Sequence, residues 1–371
     1  MSKSFPVFPV GTLFKPFSGK IGKLSNPADT IVEVDYPCRL NGMTIDSAGI
    51  ALEGKTSFPA GEICFSIDKF VHVKLKIASK PGLIIDKTTE RKSIVKHACL
   101  IMSKALNVRP DFNISVTLDD EIKKHSGFGS SGAIIGAVCV TINELYGNPV
   151  EELDLIKYMA DNYGEEVSDD DEDNLKLVQC VGGSVGNGLT DGAITIITGN
   201  ATPIVSKKYD AKILVAIPKD FHPKSAKEMM ELEEDNLNNF ISHGEKYAYE
   251  IAYNLIHEGM PLLKNGDISG ICKIIYRHRF EMGSIRNCSF VYPKIIDIAN
   301  SLKYLYEESY CKLLSMSSVG PALFVILNED NNQINKCKEA LNKLNLEIIS
   351  AALYNEKYKV KFIERKKYEA S

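Results

Sequence analysis

The sequence predicts an α+β protein of two domains. Short stretches that alternate apolar and polar residues dominate its first 220 residues, which is the period of half-buried strands. Longer helical patterns with a few late strands fill the remainder, and no regular strand–helix–strand alternation runs through either part. A chain of 371 residues is also long enough to bury two sizeable cores.

Residues 1–30 are rich in Pro, Gly, Ser and Lys and read as an irregular N-terminal arm. Thr30–Asp35, Gly61–Ile67 and Phe70–Ile77 have strand alternation. Ser93–Leu106 has helical spacing and stops at Asn107-Val-Arg-Pro110, because the residue before proline disfavours helix. Phe112–Leu118 is a strand that leads into His125-Ser-Gly-Phe-Gly-Ser-Ser-Gly-Ala133 and a long apolar helix, Ile134–Tyr146. A helix over Pro149–Asn162, an acidic run over Ser168–Asp173, a second glycine-rich stretch over Gly182–Gly188 and strands at Ala193–Ile197 and Lys212–Pro218 follow. Helices are then predicted over Lys224–Ile256, Ile268–Met282, Pro293–Glu308 and Asn332–Leu344. Strands are predicted at Ala322–Leu327, Leu346–Leu353 and Lys357–Phe362. The expected domains are 31–220 and 221–371.

Composition narrows the function. Apolar residues make up 44% and charged residues 25%, as in an ordinary soluble globular protein. A net charge of −4 argues against nucleic acid or an anionic membrane as the main partner, so any anion site must be local. No run reaches the roughly 18 apolar residues of a membrane span, and prolines interrupt the N-terminal segment where a signal peptide would need its apolar stretch. The nine cysteines include no C-x-x-C pair and sit mostly in apolar context, which reads as buried reduced thiols in a cytoplasmic protein.

The most specific feature is the glycine-serine loop ahead of the Ile134 helix. Gly127 and Gly129 let backbone N–H groups turn toward one point, and the helix start adds a favourable dipole, so Ser126, Gly127, Phe128, Gly129, Ser130, Ser131 and Gly132 are candidate phosphate or pyrophosphate ligands. The loop lacks the Lys-Ser/Thr of a P-loop and the spacing and context of a dinucleotide fingerprint.

Gly127-Phe-Gly-Ser-Ser-Gly-Ala133 resembles the phosphate loop of the GHMP superfamily of small-molecule kinases. Three features resemble one branch, the β-ribofuranosylaminobenzene 5′-phosphate synthases. They are Pro37-Cys-Arg-Leu-Asn-Gly-Met-Thr-Ile-Asp-Ser-Ala-Gly49, His125 just before the loop, and Ser315-Met-Ser-Ser-Val-Gly-Pro-Ala-Leu-Phe324. The resemblance spans about residues 31–330. It implies a GHMP fold, with a ribosomal-protein-S5-like N-terminal domain and a ferredoxin-like C-terminal domain. It also implies a phosphoribosyl transfer from 5-phosphoribosyl 1-pyrophosphate to a carbon of an aromatic or heteroaromatic acid, with loss of CO2 and pyrophosphate. Asn41 and Ala322 depart from that branch, where His and Thr are usual, and this puts 4-aminobenzoate as the acceptor in question.

Such chemistry assigns expected roles. The glycine loop would take the pyrophosphate, together with Mg2+ held by one or two carboxylates. Ser184 and Gly186 in the second glycine stretch, and Ser317, Ser318 and Gly320 near the C-terminal strand, are candidates for the 5′-phosphate. Arg39 suits a bidentate carboxylate contact, or else pairs with a neighbour such as Asp46. His125 is a candidate acid/base or phosphate donor, and Asp46 a third candidate catalytic residue. Spacing alone leaves open whether Glu165 and Glu166 face the site. An ATP-dependent GHMP kinase, with Asp191 as its base, is the alternative, and a non-catalytic ligand sensor is a third reading. A homodimer is the default expectation.

Overall fold

The computed structural model describes residues 5–27, 30–51, 60–178 and 180–364. The secondary elements run in chain order as follows: β1 (Val7–Pro9), β2 (Thr30–Thr44), β3 (Glu62–Ile77), β4 (Ile84–Ile85), α1 (Lys92–Leu106), β5 (Phe112–Leu118), α2 (Ser130–Leu145), α3 (Glu152–Asp161), β6 (Glu165–Glu166), β7 (Asn174–Lys176), α4 (Gly183–Gly186), β8 (Ile194–Thr198), β9 (Thr202–Lys207) and β10 (Lys212–Pro218). The second half adds α5 (Ala226–Asn254), α6 (Met260–Lys264), α7 (Ser269–Tyr276), α8 (Ser284–Cys288), α9 (Ile295–Leu302), α10 (Tyr304–Glu307), β11 (Cys311–Met316), β12 (Leu323–Leu327), α11 (Asn331–Asn342), β13 (Leu346–Ala352) and β14 (Lys359–Glu364). The α+β expectation holds.

A mixed sheet in the order β14-β2-β3-β5-β4, extended by β8 and β9, backs the first half. A four-stranded antiparallel sheet, β11-β12-β10-β13, backs the second. Helix α2 is buried almost throughout its length, from Ser130 to Asn143, because α1, α4 and the β2–β3 hairpin enclose it. An all-round apolar sequence such as Ala133–Val140 is stable only in such a place. Helix α5 starts from a capping box in which Ser225 and Glu228 satisfy each other's exposed backbone N–H groups.

Several elements differ from the sequence reading, each for a physical reason. The strand expected at 30–35 continues to Thr44, carried past two β-bulges by unbroken pairing with β3. The two strands expected over 61–77 are one. Their hydrophilic midpoint, Asp68-Lys69, is satisfied by the Ala352 N–H and by Glu121. The helix expected over 268–282 is α-helical only to Tyr276, and a π-helical turn, Arg277–Glu281, takes over. The N-terminal arm is less irregular than expected. β1 pairs with β7, and the Asn162 side chain accepts from the Phe14 and Lys15 N–H groups. Residues 1–4 and 28–29 of that arm lie outside the described residues.

Sheet membership divides the chain differently from a boundary at 220. Strand β10 already belongs to the second sheet, and β14 returns to pair with β2 in the first. The two halves are therefore laced together, and the site lies where they meet. All nine cysteines are buried and unpaired. No helix among the described residues is long and apolar enough to cross a membrane.

Candidate functional site

Three segments far apart in sequence converge on one cavity of about 260 Å³. Arg39 on β2 donates its N–H to the Phe128 carbonyl at 3.2 Å. The Asn41 N–H donates to Ser317 Oγ at 2.9 Å, and that hydroxyl donates to the Gly127 carbonyl at 2.5 Å. The Ala322 N–H donates to the Ser126 carbonyl at 3.0 Å. The C-terminal turn thus grips the glycine loop by its carbonyls and leaves the N–H side alone. Among the described residues, no acceptor in the protein is bonded to the N–H groups of Gly127 to Gly132. Gly127 has φ +113°, and a Cβ there would lie 2.9 Å from the Ser317 carbonyl oxygen, so no other residue fits.

The β-bulges on either side of Arg39 and Asn41 set the aim of these two side chains, which share a face of β2. Arg39 lies over Gly129: a Cβ on that glycine would stand 3.3 Å from the guanidinium carbon. The nearest carboxylate, Glu62, is 3.7 Å from Nη2, and Arg39 Nε and Nη1 are buried without a partner. Glu62 is itself occupied, accepting from Asn41 Nδ2 at 2.7 Å and from the Gly183 N–H at 2.8 Å.

His125, Gly127, Phe128, Gly129, Ser130, Ser131, Gly132, Ser184, Ser318 and Gly320 also line the cavity. The other expected residues do not. Ser126 and Ser317 are buried braces of the loop, with Ser126 Oγ donating to the Lys123 carbonyl at 2.6 Å. Gly186 packs against Ile156. Asp46 accepts from the Ala48 N–H at 2.9 Å in a turn that packs under α5 at Gly244. Asp191 is exposed and paired with Lys208 at 3.0 Å. The acidic run is a surface loop, tied down by Lys124, Lys92 and Lys96. Glu165 lines the cavity, whereas Glu166 is buried behind it.

Several residues in the wall or behind it escape the sequence reading. Arg91 is buried and holds Glu166 through Nε at 2.8 Å, Glu165 through Nη2 at 2.9 Å and Ser131 Oγ through Nη1 at 2.5 Å. Its only sequence signal is a lone arginine just before a helix. Helix α5 contributes His243 and Glu233, and the π-helical turn contributes His278 and Arg279. Burial, then Arg91 and Lys124, push His125 down to about 3, so its imidazole is neutral at physiological pH. Burial, then Arg279 and Lys246, push His243 down to about 4. Desolvation, then Glu165 and Glu234, push the Glu233 carboxyl up to about 8.

Among the described residues, seven buried side-chain polar atoms have no partner, and five of them belong to residues of this one wall: two on Arg39 and one each on His125, His243 and Arg279. Orphaned polar atoms each cost about 1–3 kcal/mol, so their concentration makes this wall the candidate binding site.

Residues 93–171 match the family model described as the GHMP kinases N terminal domain. No curated protein sequence matches the chain significantly. Among solved structures, homoserine kinase from Cytophaga hutchinsonii is similar over 91% of this chain and 99% of its own, with 16% identity and a TM-score of 0.60. Mevalonate diphosphate decarboxylase from Staphylococcus aureus is similar over 90% and 98%, with 11% identity and a TM-score of 0.61. A mevalonate kinase is similar over 87% and 99%, with 14% identity and a TM-score of 0.51. The fold is therefore the GHMP fold, and its glycine loop falls inside the matched segment.

Two outcomes follow from this geometry. Inorganic pyrophosphate at one hundred times its dissociation constant should stabilise the protein by about 2.7 kcal/mol in thermal unfolding. Gly127→Ala should lose most of that gain. His243 should make the protein acid-sensitive. An unfolded histidine takes up its proton near pH 6.5, while the folded one, facing Arg279, Lys246 and His278, stays neutral to about 4. This stability is present above pH 6.5 and lost as pH falls toward 4, so His243→Gln should give a shallower decline of the unfolding midpoint over that range.

Proposed function

We propose that this protein transfers ribose 5-phosphate from 5-phosphoribosyl 1-pyrophosphate to a ring carbon of an aromatic or heteroaromatic carboxylic acid, releasing pyrophosphate and CO2. One observation carries the reading: the cavity is rich in donors for anions and poor in bases. Glu62 and Glu165 already accept from Asn41, Gly183, Arg91 and Tyr163. Glu233 is held protonated near neutral pH, and His125 is held neutral with little basicity.

The proposed reaction needs no base. The ring carbon's electron pair forms the bond to ribose C1, and the C1–O bond breaks with its pair leaving on pyrophosphate. The bond to the carboxylate then breaks, CO2 departs, and that pair restores the ring. No net proton is taken up or released. What the reaction does require is stabilisation of the charge growing on pyrophosphate. Free N–H groups at Gly127–Gly132 with the Arg39 guanidinium above them suit that task.

Magnesium belongs to the proposal, as a Lewis acid that would neutralise leaving-group charge. No group of three or more metal-ligating side chains occurs among the described residues. Of the three carboxyl groups on the wall, only Glu233 has no hydrogen-bond partner among the described residues. The fit is thus to a dication held chiefly by pyrophosphate oxygens, with Glu233 as its protein ligand once the arriving dication has displaced the carboxyl proton to solvent. Ser318 and Gly320, on the C-terminal turn, line the same cavity and would meet the 5′-phosphate in this reading.

A GHMP kinase is the second reading, favoured by the family match over 93–171. Against it, Asp191 is exposed and paired with Lys208, and no lysine among the described residues lines the cavity.

The purified chain should release pyrophosphate and labelled CO2 in equal amounts when given magnesium, 5-phosphoribosyl 1-pyrophosphate and a panel of carboxyl-labelled aromatic acids. Arg39→Gln should lower the rate by about 10²–10³-fold, as loss of a donor to a leaving oxyanion does. Glu233→Gln should remove the extra stabilisation that magnesium gives bound pyrophosphate while leaving that of pyrophosphate alone. Turnover of ATP on a small alcohol, with no pyrophosphate released from the ribose donor, would establish the kinase instead.

A further inference from the structure

The cavity holds a second guanidinium that the glycine loop does not explain. Arg279 is only 2% exposed and lines the cavity wall. Its Nη1 reaches Cys288 Sγ at 3.6 Å, its Nη2 reaches Asn41 Oδ1 at 3.4 Å, and its Nε has no partner. No carboxylate pairs with it among the described residues. A buried charge without a counter-ion is costly enough that a site keeping one is completed by something from outside the chain.

We propose that Arg279 is the anchor of a subsite for a planar monocarboxylate, which pairs with the guanidinium fork while its ring rests between Phe240, His243 and His278. The inference rests on the transferase reading and deepens it, because it assigns the acceptor's carboxylate to Arg279 and leaves Arg39 to the pyrophosphate.

Four observations support the assignment. The residues come from a π-helical turn, Arg277–Glu281, and this local widening of the helix puts the consecutive His278 and Arg279 on the cavity wall. Such insertions recur at functional sites. Secondly, the subsite's flanks are flat and weakly polar. The His243 and His278 rings meet edge to face with centroids 5.0 Å apart, Phe240 is 7% exposed, and all three line the cavity. Thirdly, the subsite offers one full positive charge. It lacks the row of free N–H groups that the glycine loop gives a phosphate, and a single guanidinium fork matches one carboxylate. Fourthly, the two arginines are joined by a short relay. Arg279 Nη2 lies 3.4 Å from Asn41 Oδ1, Asn41 Nδ2 donates to Glu62 Oε2 at 2.7 Å, and that oxygen lies 3.7 Å from Arg39 Nη2. A carboxylate at one end and a pyrophosphate at the other would therefore occupy one continuous cavity. Asn41, which departs from the synthase-like pattern, is the residue that spans the relay.

Titration calorimetry on the full chain tests this with benzoate and pyridine-3-carboxylate as probes, benzamide as the uncharged control and inorganic phosphate as competitor. At least one carboxylate should bind, with benzamide much weaker. Arg279→Gln should weaken the carboxylate by about 30-fold or more, the loss expected when one partner of a buried charge pair is removed, and should leave pyrophosphate affinity unchanged. Arg39→Gln should do the reverse. Arg279→Lys, which keeps the charge and loses the fork, serves if the glutamine variant does not fold. A wild-type crystal soaked with 4-iodobenzoate should show the iodine beside Phe240 and the carboxylate on Arg279. The proposal is overturned if neither carboxylate binds, if benzamide binds as well, if Arg279→Gln binds carboxylate like wild type, if phosphate displaces the carboxylate, or if the iodine lies elsewhere. Pyrophosphate release that persists with an Arg279-independent carboxylate overturns the subsite alone. Carboxylate bound through Arg279 without any pyrophosphate release overturns the transferase reading alone.

Discussion

The Arg39 guanidinium, buried over Gly129 with two of its nitrogens unpaired, is the constraint around which the site is arranged. Its nearest carboxylate stands 3.7 Å away and is already shared between Asn41 and Gly183, so the positive charge is only partly balanced by the protein. Beneath it run six consecutive residues, Gly127 to Gly132, whose N–H groups have no protein acceptor among the described residues. These donors line the cavity rather than the core, and the surrounding packing keeps the loop from folding back onto them, so they stay open to an anion.

That packing joins the two halves of the molecule. The turn after β11 holds the loop by the Ser126 and Gly127 carbonyls, so the face left over is the donor face. Arg91 fixes the other side, tying Ser131 to the Glu165–Glu166 pair. Strand β14 returns from the C-terminus to pair with β2, the strand that carries Arg39 and Asn41. Rigid elements thus locate every group that would touch an anion, which is the condition for electrostatic stabilisation without reorganisation.

Much of this was legible in the sequence, and for identifiable reasons. Strand alternation and the glycine-serine loop before an apolar helix are local signals, and both α2 and the sheet strands appear where those signals place them. The segments at 37–49, 125–133 and 315–324, picked out by their resemblance to one family, prove to be hydrogen-bonded to one another. Long-range satisfaction was not legible. The join at Asp68-Lys69 looks like a loop until Ala352 and Glu121 supply partners. Arg279, Glu233 and His243 sit on helices whose periodicity marks them as ordinary polar positions, and only the approach of α5 and the π-helical turn to the loop turns them into a cavity wall. Arg91 carries no motif, and its value comes from three partners that lie 40, 74 and 75 positions away.

The central claim is that the donor-rich, base-poor cavity holds a ribose-linked pyrophosphate. The most direct measurement is a crystal structure of the chain with magnesium and 5-phosphoribosyl 1-pyrophosphate. The account places the pyrophosphate against the Gly127–Gly132 N–H groups and Arg39, with ribose C1 open toward Arg279. Density for the pyrophosphate outside this cavity, or a donor bound with C1 turned away from Arg279, would contradict it.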